Sequence, residues 1–434
     1  MASANVSHTK ILAGLILGAV AGCSAYALVR KEIIPAEPVD WIVKYLARPA
    51  GEIFLHLLFL AIIPLVFASL ALGVTRLGGT ANVGRVGLKT ISYFLITTLF
   101  AAVIGLTLVN VIEPGHVAGD LKDKLMAEYG KEAEKKLAEA KEQKKEFGID
   151  TFVNIVPSNP FKMLLEKDML AIVCTALLTG FALTKIEPHR AAAVIALLEG
   201  INLLTEVIIR WAMALAPYAV FALLFSTTAK LGYTLLVSLG AFVLTVLGGL
   251  AIHQFVVLPL LVKFLGGMSS WEFFKKARLT MLTAFSTSSS SATLPTAIKC
   301  AEEDLGVPKE VSNFVLPLSA SMNHNGTALF ESVTVIFLAQ AFGVTLGLEQ
   351  QIVVLILCIL TASGMAGVPG GSLPLIGLIL VQFDVPAGGI ALVIGVDRLL
   401  DMCRTAVNVT ADLTTAVFVA RSEKKRGEAA ATLQ

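Results

Sequence analysis

Five polar residues on the last apolar segment are the most informative groups in the sequence: Asp397, Asp401, Arg404, Asn408 and Asp412. At about 100° per residue in an α-helix, they fall within an arc of about 80° on one face. Ionisable groups inside a membrane cost roughly 2.5–3.5 kcal/mol each on insertion scales. A face that carries several of them therefore needs partners, which could be water, ions, a bound solute or the charged groups themselves.

The charged groups of this face match a zwitterion that carries an additional acidic group. A guanidinium fork binds a carboxylate through two parallel hydrogen bonds, so Arg404 suits a substrate carboxylate. Asp401 suits an α-ammonium group. Three Asp and one Arg leave an excess of acid that is open to cations. The competing interpretation is an ion-pair ladder, in which Asp397 and Asp401 bind Arg404 and lock the helix.

A second polar cluster, residues 321–327, interrupts another apolar segment. Gly326 and the amide and hydroxyl side chains favour a break in the helix, which is tolerated at membrane depth only where it lines a cavity or a ligand. Oxygen atoms in such a break suit a monovalent cation. His324 alone is more often an internal histidine than a ligand. Glu331, four residues past Thr327, is the candidate proton carrier, because a carboxyl group inside an apolar helix marks a proton pathway.

Membrane helices must position these groups. The chain of 434 residues is 56% hydrophobic and only 15% charged, whereas soluble domains carry about 25% charged residues. A net charge of +2 gives no indication of a nucleic-acid partner. The five cysteines are scattered through apolar segments without disulfide or zinc spacing, so neither a disulfide framework nor a metal-thiolate site is predicted.

Apolar segments of spanning length recur along the chain. They cover residues 11–30, 51–75, 86–112, 168–187, 199–227 and 232–265. The first is expected to be a retained membrane helix rather than a signal peptide. Beyond residue 270, two segments (272–303 and 350–381) are interrupted by small residues, and each is followed by a long helix candidate (309–343 and 387–420). This repetition predicts inverted repeats around a binding site.

The charged residues outside the apolar segments predict the topology. Residues 116–150 are rich in Lys, Glu and Ala, which predicts a solvated helical insertion. Basic residues lie near residue 10, between residues 76 and 89, and after residue 420. By the positive-inside rule, both termini are expected in the cytoplasm.

Four motifs resemble the glutamate/aspartate transporter family of dicarboxylate/amino acid:cation symporters, which includes the excitatory amino acid transporters. They are SSSSATLP at 288–295, NHNGT at 323–327, AGVPG at 366–370 and DMCRTAVNVTAD at 401–412. They are similar to that family's first hairpin, unwound segment, second hairpin tip and final helix.

The resemblance implies an all-α membrane protein with eight transmembrane helices, two re-entrant helical hairpins and inverted repeats. An elevator-type transport domain would move on a scaffold that forms a homotrimer. The scaffold would comprise residues 1–76, with helices 1 and 2, and residues 151–228, with helices 4 and 5 and the trimer contacts. The transport domain would comprise residues 77–115, with helix 3, and residues 229–434, with helix 6, both hairpins and helices 7 and 8. Residues 116–150 would form the soluble insertion.

The implied activity is secondary active symport of L-aspartate or L-glutamate with Na⁺ and/or H⁺, without enzymatic chemistry or a resident cofactor. The implied location is the inner membrane of a bacterial cell, with the lipid bilayer as a partner.

The resemblance also implies a role for each matching position. Substrate would be bound by Ser290, Thr327, Asp401, Arg404, Thr405 and Asn408. Of these, Arg404 would bind the side-chain carboxylate and Asp401 the amino group. Cations would be bound by Ser319, Asn323, Asn325, Asn408 and Asp412, with Na⁺ expected at Asn408 and Asp412. The gate would comprise Gly364, Met365, Gly367, Pro369, Gly370 and Gly371.

Departures from the family pattern concern ion coupling. Asn325 stands where the family usually has Asp, and His324 where it usually has Met. Glu331 falls where the vertebrate glutamate carriers have their proton-carrying Glu. Proton coupling with fewer sodium ions, or instead of sodium, is therefore expected.

Four alternatives compete with acidic amino acid transport. A C4-dicarboxylate:cation symporter is the nearest, although a dicarboxylate has no ammonium group for Asp401. A neutral amino acid carrier would leave Arg404 buried and unpaired. An intramembrane serine hydrolase using residues 288–291 and His324 lacks the G-x-S-x-G elbow. An ion channel would not need the Asp401 and Arg404 pair.

Overall fold

A computed structural model describes residues 8–75, 81–116, 156–160, 164–165, 169–365, 372–386 and 389–431. Within these ranges every regular element is a helix. The predicted insertion at 116–150 lies outside the described residues, apart from His116. The all-α class predicted from the apolar segments is confirmed for the described part of the chain.

Fifteen α-helices are described. The first six are α1 (His8–Arg30), α2 (Ala36–Ile42), α3 (Arg48–Thr75), α4 (Ala81–Ile112), α5 (Met169–Leu183) and α6 (Pro188–Leu231). The next five are α7 (Tyr233–Ile252), α8 (Leu258–Leu261), α9 (Ser270–Thr287), α10 (Ser290–Lys299) and α11 (Lys309–Met322). The last four are α12 (Asn325–Ala341), α13 (Leu348–Ser363), α14 (Ser372–Gln382) and α15 (Ile390–Ala431). Short π-helical turns join α2 to α3 and α7 to α8. Two further π-helical turns follow α8 and α10.

The surface and length of these helices fit a bilayer. In the described part of the chain, four helical stretches are long and apolar enough to cross a membrane: Ala13–Arg30, Arg85–Ile112, Pro188–Ala212 and Leu236–Gly266. Large apolar side chains point outward, including Trp211 (68% exposed) and Leu244 (70% exposed). Extended apolar surface of this kind marks contact with lipid or another protein.

The helix boundaries differ from the predicted segments mainly where helices continue into polar sequence. The segment predicted to begin at 199 belongs to α6, which begins at Pro188. Proline favours the first helical position, and the following alanines are strong helix formers. Similarly, α15 continues to Ala431, well past the predicted end at 420. The apolar-run criterion detects the apolar part of a helix and misses its polar ends.

Small residues bring α1 into close contact with α6. Gly14, Gly18 and Gly22 lie four residues apart on one face of α1 and face the α6 backbone. A Cβ atom added at Gly18 would lie 2.6 Å from the carbonyl oxygen of Phe221. Glycine is therefore required for this approach, as is usual where membrane helices pack closely.

The first predicted interruption and the predicted helix break are present, and only the start of the second interruption is described. Ser288, with φ +50°, and Ser289 separate α9 from α10. Helix α13 ends at Ser363, and Gly364 and Met365 follow it outside any helix. Residues 366–371, the rest of the second predicted interruption, lie outside the described residues. Asn323 and His324 separate α11 from α12.

Helix α12 lies at the centre of the candidate site. All its residues from Asn325 to Ala341 are buried, and it packs against α4, α13 and α15. The Phe337 ring stacks on Phe242 of α7, with centroids 4.6 Å apart. Because this buried helix still carries amide, hydroxyl and carboxyl groups, those groups face neighbouring helices rather than water or lipid.

Candidate functional site

Arg404 is the centre of a buried polar cluster on α15. Its Nη2 donates to Asp397 Oδ1 (2.7 Å) and Asp401 Oδ1 (2.9 Å), and its Nη1 donates to Ser372 Oγ (2.8 Å). The guanidinium carbon lies 3.9 Å from the centroid of the Phe330 ring, which gives a cation–π contact. The Arg404 side chain is 1% exposed, so its charge is balanced by protein groups.

These contacts include both ion pairs of the ladder interpretation. The ladder and a binding role are compatible, because Asp397, Asp401 and a substrate carboxylate can use different N–H groups of one guanidinium. Nε of Arg404 has no hydrogen-bond partner among the described residues. A buried donor without a partner costs about 1–3 kcal/mol, so this N–H favours any acceptor that reaches it.

Arg398 is a charged residue that the sequence interpretation overlooked. Its Nη1 lies 3.4 Å from Asp401 Oδ2. Asp397 and Asp401 are thus matched by two arginines, and the formal charges of this part of α15 cancel. The excess of acid inferred from the five-residue stripe is therefore wrong for this part of the helix, and Asp412 alone carries it. The signal was present in the sequence, since Arg398 directly follows Asp397.

The start of α12 contacts α15 through Asn408. Asn408 Oδ1 accepts a hydrogen bond from the backbone N–H of Gly326 (2.8 Å), and its Nδ2 donates to Thr327 Oγ1 (3.2 Å). A Cβ atom at Gly326 would lie 2.8 Å from the Arg404 carbonyl oxygen, so only glycine permits this contact. The structure therefore brings Thr327, Arg404 and Asn408 together.

The two remaining candidate substrate ligands are Thr405 on α15 and Ser290 on α10. Thr405 Oγ1 donates to the Asp401 carbonyl oxygen (2.8 Å), which keeps it on the buried face of α15. Ser290 is buried in the first turn of α10, and α10 packs against α15. The Ser290 side chain forms none of the hydrogen bonds of the Arg404 cluster among the described residues.

Asp412 belongs to a separate, oxygen-rich group. Its Oδ1 accepts a hydrogen bond from Asn323 Nδ2 (2.9 Å), at the break between α11 and α12. Ser319 precedes this break by one turn, and its carbonyl oxygen accepts from the Asn323 backbone N–H (2.7 Å). Ser319 Oγ and Asn323 Oδ1 are buried without a partner among the described residues. Carboxylate, amide and hydroxyl oxygens are the ligands that a hard cation prefers.

Asn325 lies in a different group from Asp412. Its Oδ1 accepts from Thr98 Oγ1 (2.7 Å) and more distantly from Thr97 Oγ1 (3.4 Å), both on α4. Its Nδ2 lies 3.2 Å from His253 Nε2. The sequence interpretation did not identify these partners, although a threonine pair and a histidine inside apolar segments were a usable signal. This group contains no carboxylate, so its affinity for a cation is weaker than that of an Asp-containing site.

Glu331 and His324 both contact the last turn of α13. Glu331 Oε2 accepts a hydrogen bond from Thr361 Oγ1 (2.7 Å), and its Oε1 has no partner in the described part of the chain. His324 Nδ1 lies 2.8 Å from the Ala362 carbonyl oxygen. Because a carbonyl oxygen only accepts, Nδ1 carries the proton. The core of the site is thereby linked to the helix that leads into the second interruption.

The predicted gate begins immediately after this turn. Gly364 follows α13, and a Cβ atom there would lie 2.5 Å from Leu70 Cγ of α3. Met365 is buried. The other predicted gate residues, Gly367, Pro369, Gly370 and Gly371, lie outside the described residues. In the described ranges, no group of three or more His, Cys, Asp or Glu could hold a metal ion.

Comparisons with known proteins match nearly the whole chain. Residues 8–422 match the model of the sodium:dicarboxylate symporter family. The chain is 36% identical to a proton/sodium-glutamate symport protein of Bacillus subtilis, over 96% of this chain and 92% of that protein. It is 31% identical to the proton/glutamate-aspartate symporter of Escherichia coli, with the same coverage. A C4-dicarboxylate transport protein of Laribacter hongkongensis is 32% identical, over 87% of this chain and 83% of that protein.

Proposed function

The chain belongs to the sodium:dicarboxylate symporter family, whose members are membrane transporters and not enzymes, and we propose that it carries acidic amino acids by secondary active symport. The observation that carries this proposal is the buried pair of Arg404 and Asp401, whose Nη2 and Oδ1 atoms are 2.9 Å apart. An acidic amino acid presents two carboxylates and one ammonium group. One guanidinium and one carboxylate at this spacing match the side-chain carboxylate and the α-ammonium.

The polar groups around this pair complete a binding site for the main carboxylate. Thr327 and Asn408 supply a hydroxyl and an amide group beside Arg404. The Thr405 hydroxyl, which donates to the Asp401 carbonyl oxygen, would turn from it to donate to substrate. Ser290 of α10 lies on the neighbouring element and would add a hydroxyl. The relatives named for glutamate and aspartate transport support the same class of substrate.

Two ion sites would drive this transport. Na⁺ would be bound at Asp412 and Asn408 with oxygens of Ser319 and Asn323, since Asp412 is the carboxylate of α15 that no arginine pairs in the described structure. Glu331 would carry a proton. Its free Oε1 and its contact with Thr361 support this role, because protonation there alters the link between α12 and α13. Asn325, without a carboxylate, would contribute a weaker cation contact.

The proposed movement is that of an elevator. Packing of α1 and α3 against α6, and of α5 against α3, supports a scaffold formed by residues 1–76 and 151–228. Packing of α12 against α4 and α15, and of α15 against α9 and α11, supports a transport domain formed by residues 77–115 and 229–434. In full, the proposal comprises eight membrane helices, two re-entrant hairpins, a homotrimer in the inner membrane and cytoplasmic termini. The second hairpin would be the gate.

C4-dicarboxylate symport is the second candidate function. Arg398 favours it, because a second guanidinium near Arg404 could pair with the second carboxylate of a dicarboxylate. The relative from Laribacter hongkongensis is named for this activity.

Uptake into proteoliposomes tests both candidates. Radiolabelled L-aspartate uptake would be measured with a sodium gradient and a proton gradient imposed separately, and succinate uptake would be measured in parallel. We expect aspartate uptake to exceed succinate uptake. Concentrative uptake of succinate without aspartate would favour the second candidate. Absence of uptake for both, in vesicles that contain folded protein, would refute the proposed function.

A further inference from the structure

Asp401 is positioned between two arginines of the same helix. Arg398, Asp401 and Arg404 are spaced three residues apart on α15, which places neighbouring members on adjacent turns. Asp401 Oδ1 faces Arg404 Nη2 at 2.9 Å, and Asp401 Oδ2 faces Arg398 Nη1 at 3.4 Å. Each oxygen of this carboxylate therefore faces a different guanidinium.

The two arginines differ in depth and in the strength of their contacts. Arg404 is 1% exposed and is held by Asp397 and Ser372 in addition to Asp401. The Arg398 side chain is 11% exposed, and its contact with Asp401 is 0.5 Å longer than that of Arg404. Of the two arginine contacts of Asp401, the one with Arg398 is therefore the longer and the more exposed, and it is the weaker of the two.

An α-ammonium group would compete with Arg398 for Asp401. The carboxylate already faces two positive charges, and a third cation at hydrogen-bond distance would be repelled by both. The ammonium can approach Oδ2 favourably only when the Arg398 guanidinium moves away. A dicarboxylate brings no ammonium and encounters no such competition, and its second carboxylate is attracted by Arg398.

We propose that Arg398 is a specificity-determining residue that weakens amino acid binding relative to dicarboxylate binding by competing with the substrate ammonium for Asp401. This inference depends on the proposed binding of acidic substrates at Arg404 and Asp401. On amino acid binding, the ammonium takes the Oδ2 contact and Arg398 turns outward, while Arg404 keeps its contacts with Asp397 and Ser372. Arg398 thereby sets the ranking of two substrate classes without itself binding the amino acid.

Competition measurements on the full chain in proteoliposomes test this role. The concentrations of unlabelled L-aspartate and succinate that halve radiolabelled L-aspartate uptake would be compared for the wild type and Arg398→Gln. We expect the ratio of the two concentrations to shift by about tenfold in favour of aspartate, equivalent to 1.4 kcal/mol. Arg398→Lys keeps the charge and should remain close to the wild-type ratio. Arg190→Gln, which removes an arginine from an exposed pair with Glu187, is the matched control.

A structural role would produce a different pattern. If the loss of Arg398 merely perturbed α15, both concentrations would rise together and the ratio would stay constant, which would overturn the proposal. If Arg398→Gln does not fold, Arg398→Cys can be labelled with either an aminoethyl or a methyl thiol reagent. The two labels compare a positive with a neutral group at position 398 of the same folded protein. Wild type treated with the same reagents is the control. The same tenfold shift between the two labels is expected, and an equal ratio would overturn the proposal.

The two proposals can fail separately. Wild-type protein that transports no acidic amino acid under either gradient would refute the proposed function. Wild-type protein that transports aspartate, together with an unchanged ratio in Arg398→Gln, would refute only the role of Arg398.

Discussion

Substitution of Arg404 by lysine separates its two functions, which are charge balance and carboxylate binding. Arg404→Ala would leave Asp397 and Asp401 buried without their shared counter-charge. Breaking a buried ion pair in this way costs about 3–5 kcal/mol, so the alanine variant would confuse lost folding with lost binding. Lysine keeps the positive charge between Asp397 and Asp401, which Arg404 contacts at 2.7 and 2.9 Å.

The expected loss follows from the hydrogen bonds of the guanidinium. In the wild type, Nη1 of Arg404 donates to Ser372, and Nη2 donates to both Asp397 and Asp401. Nε has no partner in the described chain. A lysine ammonium engaged by Asp397 and Asp401 has no second nitrogen for a bidentate contact with substrate. A lost hydrogen bond to a charged group costs about 1.5–3 kcal/mol, which corresponds to roughly 10- to 150-fold weaker aspartate binding.

Isothermal titration of the purified protein with L-aspartate measures this change, and thermal unfolding in the same detergent checks that the variant is folded. Arg190→Lys, at an exposed ion pair of α6, is the matched arginine-to-lysine control and should bind aspartate like the wild type. A folded Arg404→Lys variant whose aspartate affinity changes by less than about twofold would refute the assignment, because the estimated loss of at least tenfold would be absent.

Three further predictions concern ion coupling and helix packing. Glu331→Gln keeps the shape of the side chain and its contact with Thr361 but cannot carry a proton. Net uptake should then lose its dependence on pH, which for one titrating group is at most about tenfold per pH unit. An unchanged pH profile would exclude Glu331 as the carrier. Asn325→Asp adds a carboxylate beside Thr98. The sodium concentration that gives half-maximal uptake should fall several-fold, roughly as expected for one added charge–cation contact. An unaltered or higher sodium concentration would contradict a cation contact at this position. Gly18→Ala places a Cβ atom 2.6 Å from the Phe221 carbonyl oxygen, whereas the Cβ atom of Gly200→Ala meets nothing within 4 Å. Gly18→Ala should lower the free energy of unfolding by about 1–3 kcal/mol in chemical unfolding, and Gly200→Ala should not. Equal effects would contradict the close packing of α1 on α6.

The polar face of α15 shows which side-chain contacts can be inferred from sequence spacing within one helix. The competing ladder interpretation contained both ion pairs of Arg404, with Asp397 and with Asp401, because neighbours along a helix face are determined by helix geometry alone. The same reasoning could have included Arg398, three residues before Asp401. Its omission produced the mistaken excess of acid, which counted one arginine where the structure has two near Asp401.

Partners from distant segments were beyond such reasoning. Asn325 and Thr98 are 227 positions apart in the chain, and Asn408 and Gly326 are 82 apart. No periodicity in either segment indicates which helix will lie beside it. The family resemblance implied roles for these positions, but it did not identify His253 or Thr361 as their neighbours.

The helical class, the first interruption, the helix break and the set of polar residues that must avoid lipid could all be predicted from the amino-acid sequence. Each of these depends on short-range properties: apolar length, helical periodicity, and the conformational preferences of Gly, Ser and Asn. The pairing of Asn325 with Thr98 and His253, and of Glu331 with Thr361, became visible only once the helices were packed together. Those pairings arise because burial forces each polar group to find a partner, and the packing of helices determines which partner is within reach.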